Sequence, residues 1–237
     1  MDASSYTTLT RQSGLRHEMQ SIANNIANAA TTGYRREGVI FSEFVATPES
    51  GPSVSMARMV GRDIWDIQGG LTQTGGTLDL GIEGDGYFVI QTPEGERLTR
   101  AGNFSTDAES QLVTPDGYAV LDAGGAPVFI PQDAGSIAIS RDGTVSVQGN
   151  PISQIGLVVP VDSGEMERQK GVMFNAPSGT LPVENAQVLQ GFVEKSNTNP
   201  VWEISRMIEV QRAYELGQSF LEKEDERVRK VLENMGR

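Results

Sequence analysis

Side chains able to do covalent or acid–base chemistry are present in this chain but poorly placed for it. Asp79, Glu83 and Asp85 lie close enough in sequence to suggest a glycosidase-type carboxylate pair, one protonating a leaving group while the other supports attack. Glu83 and Asp85, however, sit in a Glu-Gly-Asp-Gly run, where acidic residues serve tight-turn geometry. The same spacing lacks the donor pattern of a calcium loop. His17, the single histidine, falls inside a helical stretch beside Leu15 and Met19, and no serine-nucleophile elbow occurs elsewhere. The chain has no cysteine, which removes disulfides, thiol nucleophiles and cysteine metal ligands together. No phosphate loop or cofactor fingerprint is present. The residues therefore point to a chain without a catalytic site, cofactor or metal. A muramidase-like activity dependent on Glu83 is the enzymatic alternative.

A different chemistry is offered by Asn24, Asn25 and Asn28. Asparagine is a poor helix former, so helix stability alone would not select it. Three amides beside an apolar stripe are suited to hydrogen bonds with neighbouring helices, which fix register at a cost in stability. The bland alternative is that all three are solvated surface residues.

The elements that must carry these residues follow from proline and glycine. All 11 prolines lie between Pro48 and Pro200, and 23 of the 27 glycines lie between Gly38 and Gly191. Both ends are nearly free of both residues, as long helices require. From about Asp2 to Ala29, the apolar residues Leu15, Met19, Ile22, Ile26 and Ala29 alternate at spacings of four and three. Gly33 is suited to a left-handed C-cap. At the other end Asn199 and Pro200 read as an N-cap and first helical position. Beyond them Met207, Tyr214, Leu221, Val228 and Met235 recur every seven residues, with Val210, Gly217, Glu224 and Val231 three places later. Acid-before-base pairs at i,i+4 (Asp225–Arg229, Glu226–Lys230, Glu233–Arg237) add a little support. Neither stripe is complete: Gln12 interrupts one, Gly217 and Glu224 the other. Each helix therefore needs tertiary partners, either the other helix alone or an array of subunits.

Between the ends, short β-type runs alternate with turn signals. The runs include Leu78–Ile82, Tyr87–Ile90, Tyr118–Leu121, Val128–Ile130, Ile137–Ile139 and Thr144–Val147. The turns are Gly84-Asp-Gly86, Pro93-Glu-Gly95, Pro115-Asp-Gly117, Gly124-Gly125 and Asp142-Gly143. This spacing predicts antiparallel structure. The fold class expected is α+β, with long N- and C-terminal helices pairing as a coiled-coil-like domain and an antiparallel all-β middle. Four segments are expected: residues 1–33 as the N-terminal helix, 34–76 as an extended arm or linker, 77–198 as a β-rich outer domain, and 199–237 as the C-terminal helix.

Charge is segregated in the same way. Net charge is −12; residues 1–36 carry +2 and residues 221–237 carry zero, leaving −14 for the middle. An acidic body argues against nucleic-acid binding, which needs a basic footprint. No apolar run approaches the length needed to span a bilayer, and Met1–Gln20 lacks the basic and apolar regions of a secretory signal.

Three motifs together carry a resemblance. They are Ala23-Asn-Asn-Ile-Ala-Asn28 with Thr31-Thr-Gly-Tyr34; Leu78-Asp-Leu-Gly-Ile-Glu-Gly-Asp-Gly-Tyr-Phe-Val-Ile90 with Thr99-Arg-Ala-Gly-Asn-Phe104; and Gly191-Phe-Val-Glu-Lys-Ser-Asn197, leading into Arg212-Ala-Tyr-Glu215. In this order they resemble the rod, hook and hook-basal-body family of bacterial flagella, over essentially the whole chain. Position 30 is Ala where that family often has Asn or Asp. The resemblance implies a structural subunit of the axial rod crossing the periplasm, proximal or distal. It would be exported through the flagellar type III apparatus without cleavage, and its partners would be copies of itself and other rod proteins. A secreted filament or adhesin subunit is the remaining alternative. The assembly interface expected on this basis comprises Leu15, Met19, Ile22, Asn24, Asn25, Ile26, Asn28, Gly33 and Tyr34 with Met207, Val210, Tyr214, Leu221, Val228 and Val231. With its stripes unpartnered, the isolated chain is expected to be monomeric with largely disordered ends.

Overall fold

The computed structural model describes residues 3–46, 54–131, 133–183 and 185–235; of these, the side chains of residues 3–6, 42–46, 54–60 and 62 are outside the description. The described chain divides into two compact units. One comprises residues 1–27, 37–65 and 199–237, the other residues 28–36 and 66–198.

The first unit holds the two helices, α1 (Ala3–Ala27, 25 residues) and α2 (Pro200–Met235, 36 residues). α2 starts as its sequence requires: Asn199 Oδ1 accepts hydrogen bonds from the Val201 and Trp202 N–H groups at 3.0 and 3.2 Å. The helices pack antiparallel. Arg206 donates to Glu18 Oε1 through Nε at 2.8 Å, with Nη2 at 2.6 Å, and Gln12 Nε2 reaches Tyr214 O at 3.3 Å. Gly217 faces Thr8 and Gln12, so the gap in the α2 stripe lies where α1 presents a polar side chain. Of the expected i,i+4 pairs, Asp225–Arg229 closes at 2.8 Å, while Arg237 lies outside the described residues.

The same unit contains a long hairpin, β1 (Glu37–Ala46) paired antiparallel with β2 (Val54–Ile64), with a register shift at Ile40/Phe41. Thus most of the stretch from 37 to 64 is paired strand. Residues 47–53, between the two strands, lie outside the described residues. Gly14 on α1 faces Phe41 of β1: a Cβ there would stand 2.7 Å from Phe41 Cε1.

The second unit is antiparallel β throughout its described strand pairs. Its largest sheet centres on β5 (Tyr87–Thr92), flanked by β6 (Gly95–Thr99), Ala119–Val120 and Leu157–Pro160. Two smaller pairs close the side where the motifs meet: β3 (Leu71–Gln73) with Phe192–Glu194, and β4 (Leu80–Glu83) with Gln187–Gln190. Leu80, Ile82, Phe88, Ile90, Phe104, Leu112 and Val120 fill the core, and the Phe88 and Phe104 rings meet edge to face at 5.1 Å. All five expected turns carry a glycine with positive φ. Val128–Ile130 departs from expectation. It forms no named strand: Phe129 bridges Gln111, and Val128 and Ile130 are buried and hydrogen-bonded to Leu112, Val120 and Ser110, while Pro127 and Pro131 at its ends lack donors to extend a ladder. Among the described residues no helix is long and apolar enough to cross a membrane.

Candidate functional site: a buried charge clasp and an incomplete helix seam

Parts of all three motifs, Thr31–Tyr34, Leu78–Phe104 and Gly191–Asn197, meet inside the β unit. α1 ends at Ala27, so Gly33 stands too far along the chain to cap it. Its φ of +68° serves a close approach instead: a Cβ at Gly33 would lie 2.2 Å from Ala101 N. The Gly33 N–H donates to Glu194 O at 2.8 Å, joining the first motif to the third across the second.

Two residues later Arg35 turns its side chain into the interior. Its Nη1 lies 2.9 Å from Glu194 Oε1 and also donates to Ile67 O, and its Nε lies 3.8 Å from Asp66 Oδ1. Arg100 approaches the same glutamate, Nη1 to Oε2 at 3.3 Å, donates through Nη2 to Gly84 O at 2.8 Å, and sits 5.3 Å from the centre of the Tyr87 ring. Glu194 Oε1 further accepts the Gly69 N–H at 2.8 Å, and the Tyr87 hydroxyl donates to Asp66 Oδ1 at 2.5 Å. Arg35, Arg100 and Glu194 are essentially without solvent exposure.

The electrostatics follow from that enclosure. Burial lowers the Arg100 pKa, Glu194 opposes the shift, and Arg35 adds to it. Burial also raises the Tyr87 hydroxyl pKa, helped by the charge and hydrogen bond of Asp66. Two guanidinium groups thus share one fully buried carboxylate, with Asp66 at the rim as the second.

The outer layer of the clasp is polar and aromatic. Asn197 Oδ1 accepts the Arg36 N–H at 2.6 Å, its Nδ2 donates to Ile67 O at 2.8 Å, and its N–H donates to Tyr34 O at 3.2 Å. Arg168 stacks over the Tyr34 and Phe174 rings at 4.4 and 4.9 Å and donates to Arg35 O. The chain enters or leaves this unit at four places: before Asn28, after Arg36, before Asp66 and after Thr198, the last three of them beside this cluster. Arg35 and Arg36, Asp66 and Ile67, and Glu194 and Asn197 are all held by it. The arrangement offers no nucleophile–base pair; what it can do is fix backbone.

In the helical unit the asparagine motif does similar work. Asn25 is buried and uses its amide twice on Glu37, Nδ2 donating to Glu37 O at 2.8 Å and Oδ1 accepting from Glu37 N at 3.0 Å. Ser21 Oγ adds a bond to Glu37 O at 3.0 Å, and the exposed Asn24 reaches Glu37 Oε1 at 3.4 Å. The first residue of β1 is thereby tied to α1. Asn28, in the β unit, accepts from Thr31 Oγ1 at 3.1 Å.

The remaining expected interface residues divide along α1 and α2. Ile22 and Val210 are buried; Leu15, Met19, Ile26, Met207, Tyr214 and Leu221 are half-buried; Val228 and Val231 are exposed. Gly33 and Tyr34 are enclosed by their own chain. Sequence reasoning gave no role to Arg100, Glu194 and Asp66, nor to Leu216, Phe220 and Leu232. The available signal for the first group was a charge embedded in apolar or small neighbours, as in Phe192-Val-Glu194 and Arg100-Ala-Gly102. His17 is exposed, its Nδ1 2.8 Å from Ser13 O. Among the described residues no cluster of histidine and carboxylate groups could hold a metal.

Comparison with known proteins supplies the context for this arrangement. Residues 81–147 match the family model described as the flagellar hook protein FlgE/F/G D1 domain, and residues 189–234 match the flagellar basal body rod FlgEFG protein C-terminal model. The chain is 38% identical to the flagellar basal-body rod protein FlgF of Caulobacter vibrioides, over 100% of this chain and 99% of that protein. It is 33% identical to FlgF of Rhizobium meliloti over 100% and 99%, and 32% identical to FlgG of Bacillus subtilis over 93% and 94%.

Proposed function

The chain belongs to the flagellar basal-body rod protein family, and on that premise we propose that it polymerises through its terminal helices as a subunit of the proximal rod. It is a structural subunit of the rod rather than an enzyme, and it assembles with other rod proteins. In the proposed reading α1 and α2 pair in coiled-coil fashion and form the assembling layer. Residues 1–33 and 199–237 supply that layer, 34–76 a connecting arm, and 77–198 the acidic outer body. The rod crosses the periplasm, and the subunit reaches it through the flagellar type III export apparatus without loss of a signal segment.

One observation carries the reading. The β unit closes over its own core, while α2 leaves a series of large apolar side chains exposed, including Ile204, Ile208, Leu216, Phe220 and Leu232. A helix with exposed apolar residues beyond its intramolecular contact is built to meet further helices. The acidic body stays soluble, and near-neutral ends can approach one another without charge repulsion. The interface residues proposed are Leu15, Met19, Ile22 and Ile26 on α1 with Met207, Val210, Tyr214, Leu221, Val228 and Val231 on α2.

The test is deletion and complementation. Loss of the rod, hook and swimming on deletion, with tagged protein at the inner-membrane end of purified basal bodies on complementation, is the expected result. Normal basal bodies in the deletion strain would refute it. A tag at the outer end would favour the distal-rod reading, to which the similarity with FlgG proteins gives a specific footing.

A further inference from the structure

The contact between α1 and α2 has a definite register. The facing pairs Glu18–Arg206, Gln12–Tyr214 and Thr8–Gly217 place Ala3, the first described residue of α1, level with about residue 222 of α2. The α2 stripe does not stop there. Val228, Val231, Leu232 and Met235 continue it at i, i+3, i+4 and i+7, and they are 45, 48, 64 and 80% exposed. They continue the helix–helix seam past the described residues of α1, so the surface that fits them is one like the α1 surface that fits the earlier part.

Such a surface is present on the chain. Beside the α1/α2 contact runs an open groove of about 350 Å³ lined by Thr8, Gln12, Leu15, Leu216, Gly217 and Phe220. Gly217 deepens it by having no side chain, and Leu216 and Phe220 remain 73 and 44% exposed on its wall. Arg11 also borders it. Because residues 1–27 carry no net charge (Arg11 and Arg16 against Asp2 and Glu18) and residues 221–237 carry none either, two copies can bring these ends together without like-charge repulsion.

We infer that the distal end of α2, through Val228, Val231, Leu232 and Met235, docks into the groove beside Gly217 on a second copy of this chain. The inference rests on the rod reading above and names the surfaces it uses. The two surfaces are different, so the contact is heterologous. Each added copy presents a fresh groove and a fresh end, which produces an open helical array rather than a closed dimer. A symmetric contact between two distal ends would cover the same side chains but would stop at two copies.

The chain has no cysteine, so single introduced thiols report the contact directly. Full-length Leu232→Cys and Leu216→Cys, both at exposed positions, are mixed at high concentration and oxidised, after circular dichroism confirms parental helix content. The expected result is a cross-linked dimer in the mixture at least about tenfold faster than in either variant alone. Two results overturn the inference: cross-linking of Leu232→Cys alone as fast as the mixture, which is the symmetric contact, or a mixture no faster than Leu232→Cys with the β-unit control Asp116→Cys. Both thiols in one chain are also placed in cells. Cross-linked ladders in isolated basal bodies support the docking. Normal swimming and rod incorporation with no ladders removes the docking and leaves the rod reading intact. Absence of the parental chain from basal bodies removes the rod reading itself.

Discussion

The β unit and the helical unit use the same kinds of side chain to opposite ends. In the β unit the large apolar residues Leu80, Phe88, Ile90 and Leu112 are almost wholly enclosed, and the charged residues Arg35, Arg100 and Glu194 are enclosed with them. In the helical unit the ion pairs Arg206–Glu18, Arg227–Glu224 and Arg229–Asp225 lie at or near the surface, while Ile208, Leu216 and Leu232 face solvent beside them. A buried charge that loses its partner is strongly unfavourable, whereas an exposed pair contributes little. The β unit is therefore specified from within, and the helical unit is left with surface that other molecules can complete.

That contrast predicts an ordered series of effects. Glu194→Ala strands two buried guanidinium groups and is expected to reduce thermal stability by about 3–5 kcal/mol. A loss below about 1 kcal/mol in a denaturation experiment would mean the clasp does not hold the β unit. Gly33→Ala imposes an unfavourable φ costing roughly 1–3 kcal/mol, and the clash with the Ala101 backbone adds to that. A neutral result in the same assay would show that residues 28–36 are not held against 100–101. Asn25→Ala removes two hydrogen bonds to the buried Glu37 backbone, leaving Ser21 Oγ on Glu37 O, for about 1–3 kcal/mol. Asn24→Ala, at an exposed amide 3.4 Å from Glu37 Oε1, should cost less stability than Asn25→Ala, and an equal or larger loss would contradict the difference in burial.

Smaller effects belong to the surface. The hydrogen bond Arg206 donates to Glu18 is the main cause of its raised pKa, and burial opposes it. Arg206→Ala should cost no more than about 1 kcal/mol, and the difference should shrink in high salt. A salt-independent loss of several kcal/mol would erase the distinction between the two units. The smallest effect is that of Asp142, whose carboxyl is held below its ordinary pKa by hydrogen bonds from Thr144 Oγ1 and N–H. A lowered folded-state pKa contributes stability above the unfolded carboxylate range and loses it as pH falls through the folded value. The stability difference between the parent and Asp142→Asn should therefore be largest near neutrality and vanish in acid; a difference that grows in acid would contradict it.

How much of this was legible follows from sequence distance. α2 was readable from its Asn199-Pro200 start and seven-residue period, and the turns were readable from glycines that each act locally. β1 was harder to see, because half of the hairpin lies in the Gly- and Ser-rich stretch 46–76, where apolar alternation is broken. The clasp was invisible for a physical reason. Arg35 and Arg100 reach Glu194 across gaps of 159 and 94 residues, and an isolated charge in a sequence is normally read as solvated. The motif residues themselves were recognisable; their meeting point required the fold. Gly33 shows the same limit, since its left-handed backbone was foreseeable but the segment it admits was not.

The register of α1 against α2 also has a consequence in time. Arg206 follows Glu18 by 188 residues, so the helix that covers α1 is made last. At roughly 5–20 residues per second, α1 leaves the ribosome on the order of 10–40 s before its partner exists. Throughout that interval α1 can meet the β1–β2 hairpin but not α2. The newborn chain therefore passes through a stage in which the face of α1 that α2 covers is open, because α2 has not yet been translated.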